Sequence, residues 1–289
     1  MELISLRTSI TRSSPLTPHP STLPSRLSLL ALAVFVAACD RSPVDWEEPR
    51  QITGAAASDA RLLLDSAGRV LFLPRGIAPI VLPAGACPES RVFARVGVDD
   101  WYVAWWMPRP DSSAEIQVSR TIDGGRTWSA PVVADRRDRS TRGCRRLAPA
   151  IYADSASGYV HLSYFMEPEQ GSGVWYTHSQ ERGEVWHEPV GVVFGDDPAR
   201  SGVGANGQTV AVAYEHPNAA DARVGLALSA TEGHLFERHM VLSGANMAAS
   251  EPRVFVRDRA IAVSWTTRAR GTDASAPANT VVVMGELAR

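Results

Sequence analysis

Three features of the sequence predict an all-β fold, a β-propeller of four-stranded antiparallel blades. The chain beyond residue 39 carries short runs of β-branched and aromatic residues cut by Gly, Pro, Asp and Asn, with no long amphipathic helical pattern. Four of these runs align with one another and recur about every fifty residues. A turn motif ending in an aromatic residue recurs in phase with them. A period of that length is the size of one propeller blade.

The aligned runs cover residues 101–106, 159–164, 209–214 and 260–265. They carry the aromatics Trp105, Tyr164, Tyr214 and Trp265, spaced 59, 50 and 51 residues apart. The in-phase turns are Thr121-Ile122-Asp123-Gly124-Gly125-Arg126-Thr127-Trp128, Ser179-Gln180-Glu181-Arg182-Gly183-Glu184-Val185-Trp186 and Ser229-Ala230-Thr231-Glu232-Gly233-His234-Leu235-Phe236. Each residue type has a physical task. The Asp123 carboxylate can accept hydrogen bonds from turn N–H groups. Gly125 and Gly183 supply a backbone angle that other residues resist. Trp128 and Trp186 bring a large apolar surface to bury between blades. Asp123, Gly125, Trp128, Glu181, Gly183 and Trp186 are therefore read as structural.

A propeller must close, because open first and last blades leave raw sheet edges. Residues 279–287 read as the third strand of a blade with no turn motif or fourth strand after them. Trp46-Glu47-Glu48-Pro49-Arg50-Gln51-Ile52 resembles Trp128-Ser129-Ala130-Pro131-Val132-Val133, so residues 46–52 are expected to supply that outer strand. A short unit over 58–85 offers strands at 60–65, 69–73 and 80–82. The count is five blades, at about 54–86, 87–136, 137–197, 198–246 and 247–289 with 46–52; six is the alternative.

The first turn matches the Asp-box pattern S/T-x-D-x-G-x-T-W residue for residue, and the other two are decayed copies. On these motifs the chain resembles the sialidase, or BNR-repeat, propellers over residues 46–289. The resemblance implies that each box joins the third and fourth strands of a blade. It also implies a ligand mouth at the opposite end, where an arginine triad holds a carboxylate. Arg91, Arg145, Arg146, Arg200 and Arg253 stand at or near the expected inner-strand starts, and Arg91, Arg146 and Arg253 are the anion-binding candidates. Solvated or structural arginines are the competing reading. A sialidase would further need a tyrosine nucleophile paired with a glutamate, an acid aspartate and an Arg-Ile-Pro motif. No Arg-Ile-Pro occurs. Tyr214 and Glu215 are adjacent and would face opposite sides of a strand. Tyr164 with Glu167 or Glu215, and Asp99, Asp100 and Glu251 as acids, are left without a motif. No residue is assigned a catalytic role.

Composition narrows the function further. The 289 residues carry a formal net charge of −2 with a sequence pI near 6.4, which offers nothing to attract nucleic acid. All 29 basic residues are arginine, so Schiff-base lysine chemistry and a phosphate-loop lysine are excluded. There is no Cys-x-x-Cys or Cys/His ligand spacing, so no metal or other cofactor is expected. Cys87 and Cys144 both precede inner strands of neighbouring blades; they suit one disulfide in an oxidising compartment, with free thiols as the other reading.

Arg26 precedes a short apolar run ending Val36-Ala37-Ala38-Cys39. The run is too short to span a bilayer. It resembles the lipobox of bacterial lipoproteins, which implies cleavage before Cys39 and acylation of its thiol and new amine. Residues 1–38 are then a disordered extension plus signal peptide, 39–45 an anchor linker, and 46–289 the propeller. The expected location is the bacterial cell envelope, outside the cytoplasm, held to a membrane by lipid. The reading that follows is an envelope-anchored, non-catalytic module binding a glycan, another anionic ligand or an envelope protein. A sialidase-like exo-glycoside hydrolase acting on acidic sugars and an assembly scaffold are the alternatives.

Overall fold

The structure is a computed structural model. It describes residues 42–52, 60–67, 69–74, 80–270 and 278–288. The expected signal peptide and Cys39 lie outside the described residues.

The chain is all-β, built mostly of four-stranded antiparallel sheets. Strands β1 (Val44–Trp46) and β2 (Arg50–Ile52) open it, followed by a hairpin of β3 (Ala60–Leu64) and β4 (Val70–Pro74). Three four-stranded antiparallel sheets come next. The first comprises β5 (Val92–Arg95), β6 (Trp101–Pro108), β7 (Ala114–Thr121) and β8 (Val132–Asp135). The second comprises β9 (Ala150–Ala153), β10 (Val160–Met166), β11 (Gly173–Ser179) and β12 (Val190–Phe194). The third comprises β13 (Ser201–Asn206), β14 (Thr209–Glu215), β15 (Val224–Ser229) and β16 (Arg238–Val241). A last sheet joins β17 (Met247–Arg257), β18 (Ala260–Ala269) and β19 (Asn279–Leu287), with β1 and β2 both paired to β19. Among the described residues the only helical element is a 3-10 turn at Pro88–Ser90, and no helix is long and apolar enough to cross a membrane.

The aligned aromatics sit in the second strand of each of the last four sheets, and all four are buried. Trp105 packs with Val103 against Ile80 and Leu82 ahead of its own sheet. Tyr164 joins the core shared with the β5–β8 sheet, Tyr214 the core shared with β9–β12, and Trp265 the core shared with β13–β16. Each of the last three sheets thus seals against the one before it, while Trp105 seals the β5–β8 sheet against the 80–82 segment. The first strands β13 and β17 approach so closely that a β-carbon on Gly202 would lie 2.8 Å from the Pro252 carbonyl oxygen.

The three boxes fold alike. In each, the hydroxyl that ends the third strand accepts an N–H from the glycine four residues on: Thr121 from Gly125 at 3.0 Å, Ser179 from Gly183 at 2.9 Å and Ser229 from Gly233 at 3.0 Å. All three glycines have φ between 86° and 90°. In the first box the Asp123 carboxylate also accepts the Thr121 hydroxyl, the Thr127 N–H and the Thr127 hydroxyl at 2.7, 2.9 and 2.6 Å, which holds its pKa well below the usual carboxylate range. In the third box Thr231 takes part of that role, accepting the Leu235 N–H at 3.1 Å. The exposed Glu181 side chain makes no hydrogen bond among the described residues. Trp128 and Trp186 are half-buried, and Phe236 packs edge-on to Tyr176 at 5.1 Å.

Two expectations need correction. Residues 80–82 form no strand; Ile80 and Leu82 contribute side chains to the packing around Trp105 and Trp128 instead. Residues 46–52 are not one strand. Pairing starts at Val44, opposite Leu287, and breaks around Glu48 and Pro49 before resuming at Arg50 opposite Val282. Pro49 has no N–H to give a ladder, which accounts for the break.

Candidate functional site

The first strands β3, β5, β9, β13 and β17 line one cavity of about 350 Å3. Apolar side chains such as Leu62, Phe93 and Phe255 line much of it, so its chemistry is set by the few polar side chains, Tyr152, Ser155 and three arginines. Arg91, Arg95 and Arg253 are in its lining, and no Asp or Glu is, among the described residues. Arg91 is half-buried at the head of β5 and donates to the Ile80 carbonyl at 3.4 Å. Arg253 lies in β17 and is only 6% exposed. Arg95, at the far end of β5, stacks over the Trp101 ring at 4.1 Å. Three arginines in one lining suit an anion, and the planar fork of arginine matches a carboxylate.

A second hollow opens beside Arg253, lined by Arg200, Ser201 and Glu251. There the Glu215 carboxylate accepts the backbone N–H groups of Arg200 and Glu251, both at 2.9 Å, and lies 3.7 Å from the Arg200 guanidinium. Glu215 therefore fastens the loop before β13 to the irregular stretch of β17 at Glu251. Thr266 donates its hydroxyl to Glu251 at 3.0 Å.

Arg146 is not part of this cavity. Its guanidinium meets Asp138 at 2.5 Å, with both side chains almost fully buried, and it also donates to the Ser140 and Gly143 carbonyls. It lies over the Trp106 ring at 5.6 Å. A buried charge paired this closely is committed to holding its loop. The same loop is tied by a disulfide from Cys144 to Cys87, ahead of β5. Of the three arginines singled out from sequence, Arg91 and Arg253 share a cavity and Arg146 lines a separate one.

The tyrosine–carboxylate candidates are dispersed. Tyr164 donates its hydroxyl to Asp135 at 2.7 Å, buried between two sheets. Burial, then the Asp135 charge, raises the tyrosine pKa well above its ordinary value; burial also raises that of Asp135, against the hydrogen bonds from Tyr164 and Arg137. Glu167 is instead held bidentate by Arg142 at 2.7 and 3.0 Å. Asp100 is held the same way by Arg120 at 2.7 and 2.8 Å, and the Asp99 carbonyl accepts the Gly124 N–H. Asp99 and Asp100 therefore sit at the Asp-box end of their sheet, away from Arg91.

One further cluster was not anticipated from sequence. His178 near the end of β11, His187 after the second box and His234 within the third bring one ring nitrogen each to within 4.8 Å of one another. His178 stacks on His187 with centroids 4.3 Å apart and meets His234 edge-on at 4.8 Å. His161, opposite His178 on β10, lies behind them. Burial lowers the pKa of His161 to about 4; burial, then the neighbouring His187, His161 and His234, lowers that of His178 to about 3. Among the described residues this is the one grouping with a donor set suited to a metal ion.

No protein-family model matches the chain, and no curated protein does. Solved structures that are similar include the Hadza microbial sialidase Hz136, at 16% identity and a TM-score of 0.45 over 63% of this chain and 42% of that one. The Phage phi92 endosialidase is similar at 10% identity and a TM-score of 0.46, over 68% of this chain and 35% of that one. A structure named only as a glycoside hydrolase is similar at 10% identity and a TM-score of 0.42, over 84% of this chain and 87% of that one. The chain thus spans less than half the length of the first two, and its chemistry has to be read from its own residues.

Proposed function

We propose that this protein is a non-catalytic, envelope-anchored module that binds an anionic ligand, such as an acidic sugar, in the cavity formed by its inner strands. One observation carries the reading. Arg91, Arg95 and Arg253 line that cavity, and no carboxylate does, among the described residues. Such a lining attracts a carboxylate; it also holds the Tyr152 and Ser155 side chains, but no carboxylate to activate either as a nucleophile or to serve as an acid. In this reading the five sheets are blades of one ring, closed where β1 and β2 pair with β19. The five first strands sharing one cavity support that arrangement. Acylation at Cys39 would hold the module to a membrane, with residues 39–45 as its linker.

Titration of the purified protein with N-acetylneuraminic acid and with glucuronic acid, against neutral glucose, tests the binding. Saturable heat with an acid but not with glucose is expected, weakened in Arg91→Gln. No binding of either acid overturns the ligand class, and turnover of a fluorogenic sialoside overturns the non-catalytic reading. Mass spectrometry of the membrane-extracted protein tests the anchor: an unmodified Cys39 would remove it.

A further inference from the structure

We propose that His178, His187 and His234 form a binding site for one divalent transition-metal ion of the zinc class, at the Asp-box end of the β9–β12 and β13–β16 sheets. The three donors come from two neighbouring sheets and converge to within 4.8 Å. Zinc–nitrogen bonds of about 2.0–2.1 Å would set tetrahedral donors about 3.4 Å apart. His187 is half-buried and His234 exposed, so both rings have room to rotate over that remaining distance. His178 is the fixed member. It is 2% exposed, and its Nε2 is buried without a hydrogen-bond partner among the described residues. A buried ring nitrogen with nothing to pair with needs an explanation, and a cation supplies one.

The surroundings orient the ligands. His234 Nδ1 lies 2.7 Å from the Thr231 carbonyl, which can only accept, so Nδ1 carries the proton and Nε2 presents its lone pair. Tyr176 donates its hydroxyl to the Glu232 carbonyl at 3.2 Å and accepts from His161 Nδ1 at 2.6 Å. That relay fixes the turn bearing His234 to the sheet bearing His178. Three imidazoles with no oxygen donor favour zinc, copper, nickel or cobalt over magnesium or calcium. Exposure of His234 leaves at least one coordination position for water or an outside ligand.

The test uses the full-length chain, purified without a polyhistidine tag. It is titrated with Co2+, read by its visible absorption bands, then displaced by Zn2+, with metal content measured after dialysis. One ion per chain is expected. His187→Ala and His234→Ala, checked for unchanged circular dichroism, should each weaken Co2+ binding more than about tenfold. His216→Ala and His239→Ala should leave it unchanged, as should Arg91→Gln in the separate arginine-lined cavity. Absence of stoichiometric metal, or equally tight binding by the His187→Ala/His234→Ala double variant, would overturn the site.

Discussion

Gly233→Ala and Gly183→Ala occupy the same position in two successive boxes, and the structure assigns them different costs. Both glycines are left-handed, at φ +90° and +86°. An L-residue held in such a region costs about 1–3 kcal/mol. At Gly183 that is the whole effect, because the new β-carbon would stand 3.5 Å from the Tyr102 ring, an ordinary contact. At Gly233 the β-carbon would fall 2.2 Å from Tyr176 Cε1 and 2.4 Å from its hydroxyl. The ring cannot simply swing away. Its hydroxyl is engaged by His161 and Glu232, and its edge is packed against Phe236. Forcing a methyl into such a site adds about 1–3 kcal/mol. The expected losses are therefore about 1–3 kcal/mol for Gly183→Ala and about 2–6 kcal/mol for Gly233→Ala. Urea unfolding followed by tryptophan fluorescence measures both, compared at unchanged m-value. Equal losses within about 0.5 kcal/mol would refute the claim that the third box turn is pressed onto Tyr176 of the preceding sheet.

Tyr164→Phe removes the hydroxyl that donates to buried Asp135 and should cost about 1.5–3 kcal/mol in the same assay. It should leave acid-sugar binding untouched, since Tyr164 does not line the arginine cavity; a loss of binding at full stability would argue for a functional tyrosine. A pH effect follows from His161 and His178, whose folded pKa values, about 4 and 3, lie below the unfolded value of 6.5. The unfolded chain binds protons that the folded chain refuses, so their contribution is fully present above pH 6.5 and is lost as pH falls toward 4. Asp135, with its raised pKa, works in the opposite direction above 3.8. Urea midpoints at pH 7 and pH 5 should show a net fall on acidification; a flat or rising midpoint would contradict the neutral, desolvated histidines.

Short-range information accounts for what was legible beforehand. The box turn is specified within eight residues, because Thr121, Asp123, Gly125 and Thr127 satisfy one another's hydrogen bonds. Ser179–Gly183 and Ser229–Gly233 keep the hydroxyl-to-glycine bond even where the aspartate is gone. Alignment of the repeated runs placed the second-strand aromatics; these strands are buried almost along their whole length, so alternation could not have told which face each aromatic takes. Residues 80–82 were misread because a three-residue apolar run looks the same whether it pairs with a neighbour or only packs on it.

The sequence by itself determined an all-β chain with a box turn at the end of three third strands, and pointed to residues 46–52 as the partner of the C-terminal strand, which the structure splits into two short strands. Which charges meet was left to tertiary structure. Arg91 and Arg253 share a cavity and Arg146 does not, because Asp138, eight residues before Arg146, claims its guanidinium within a buried loop. Spacing rules gave no hint of a metal site, because His178, His187 and His234 meet only when two sheets pack side by side. Local hydrogen bonding is written within a few residues, whereas convergence of distant side chains depends on how whole sheets stack.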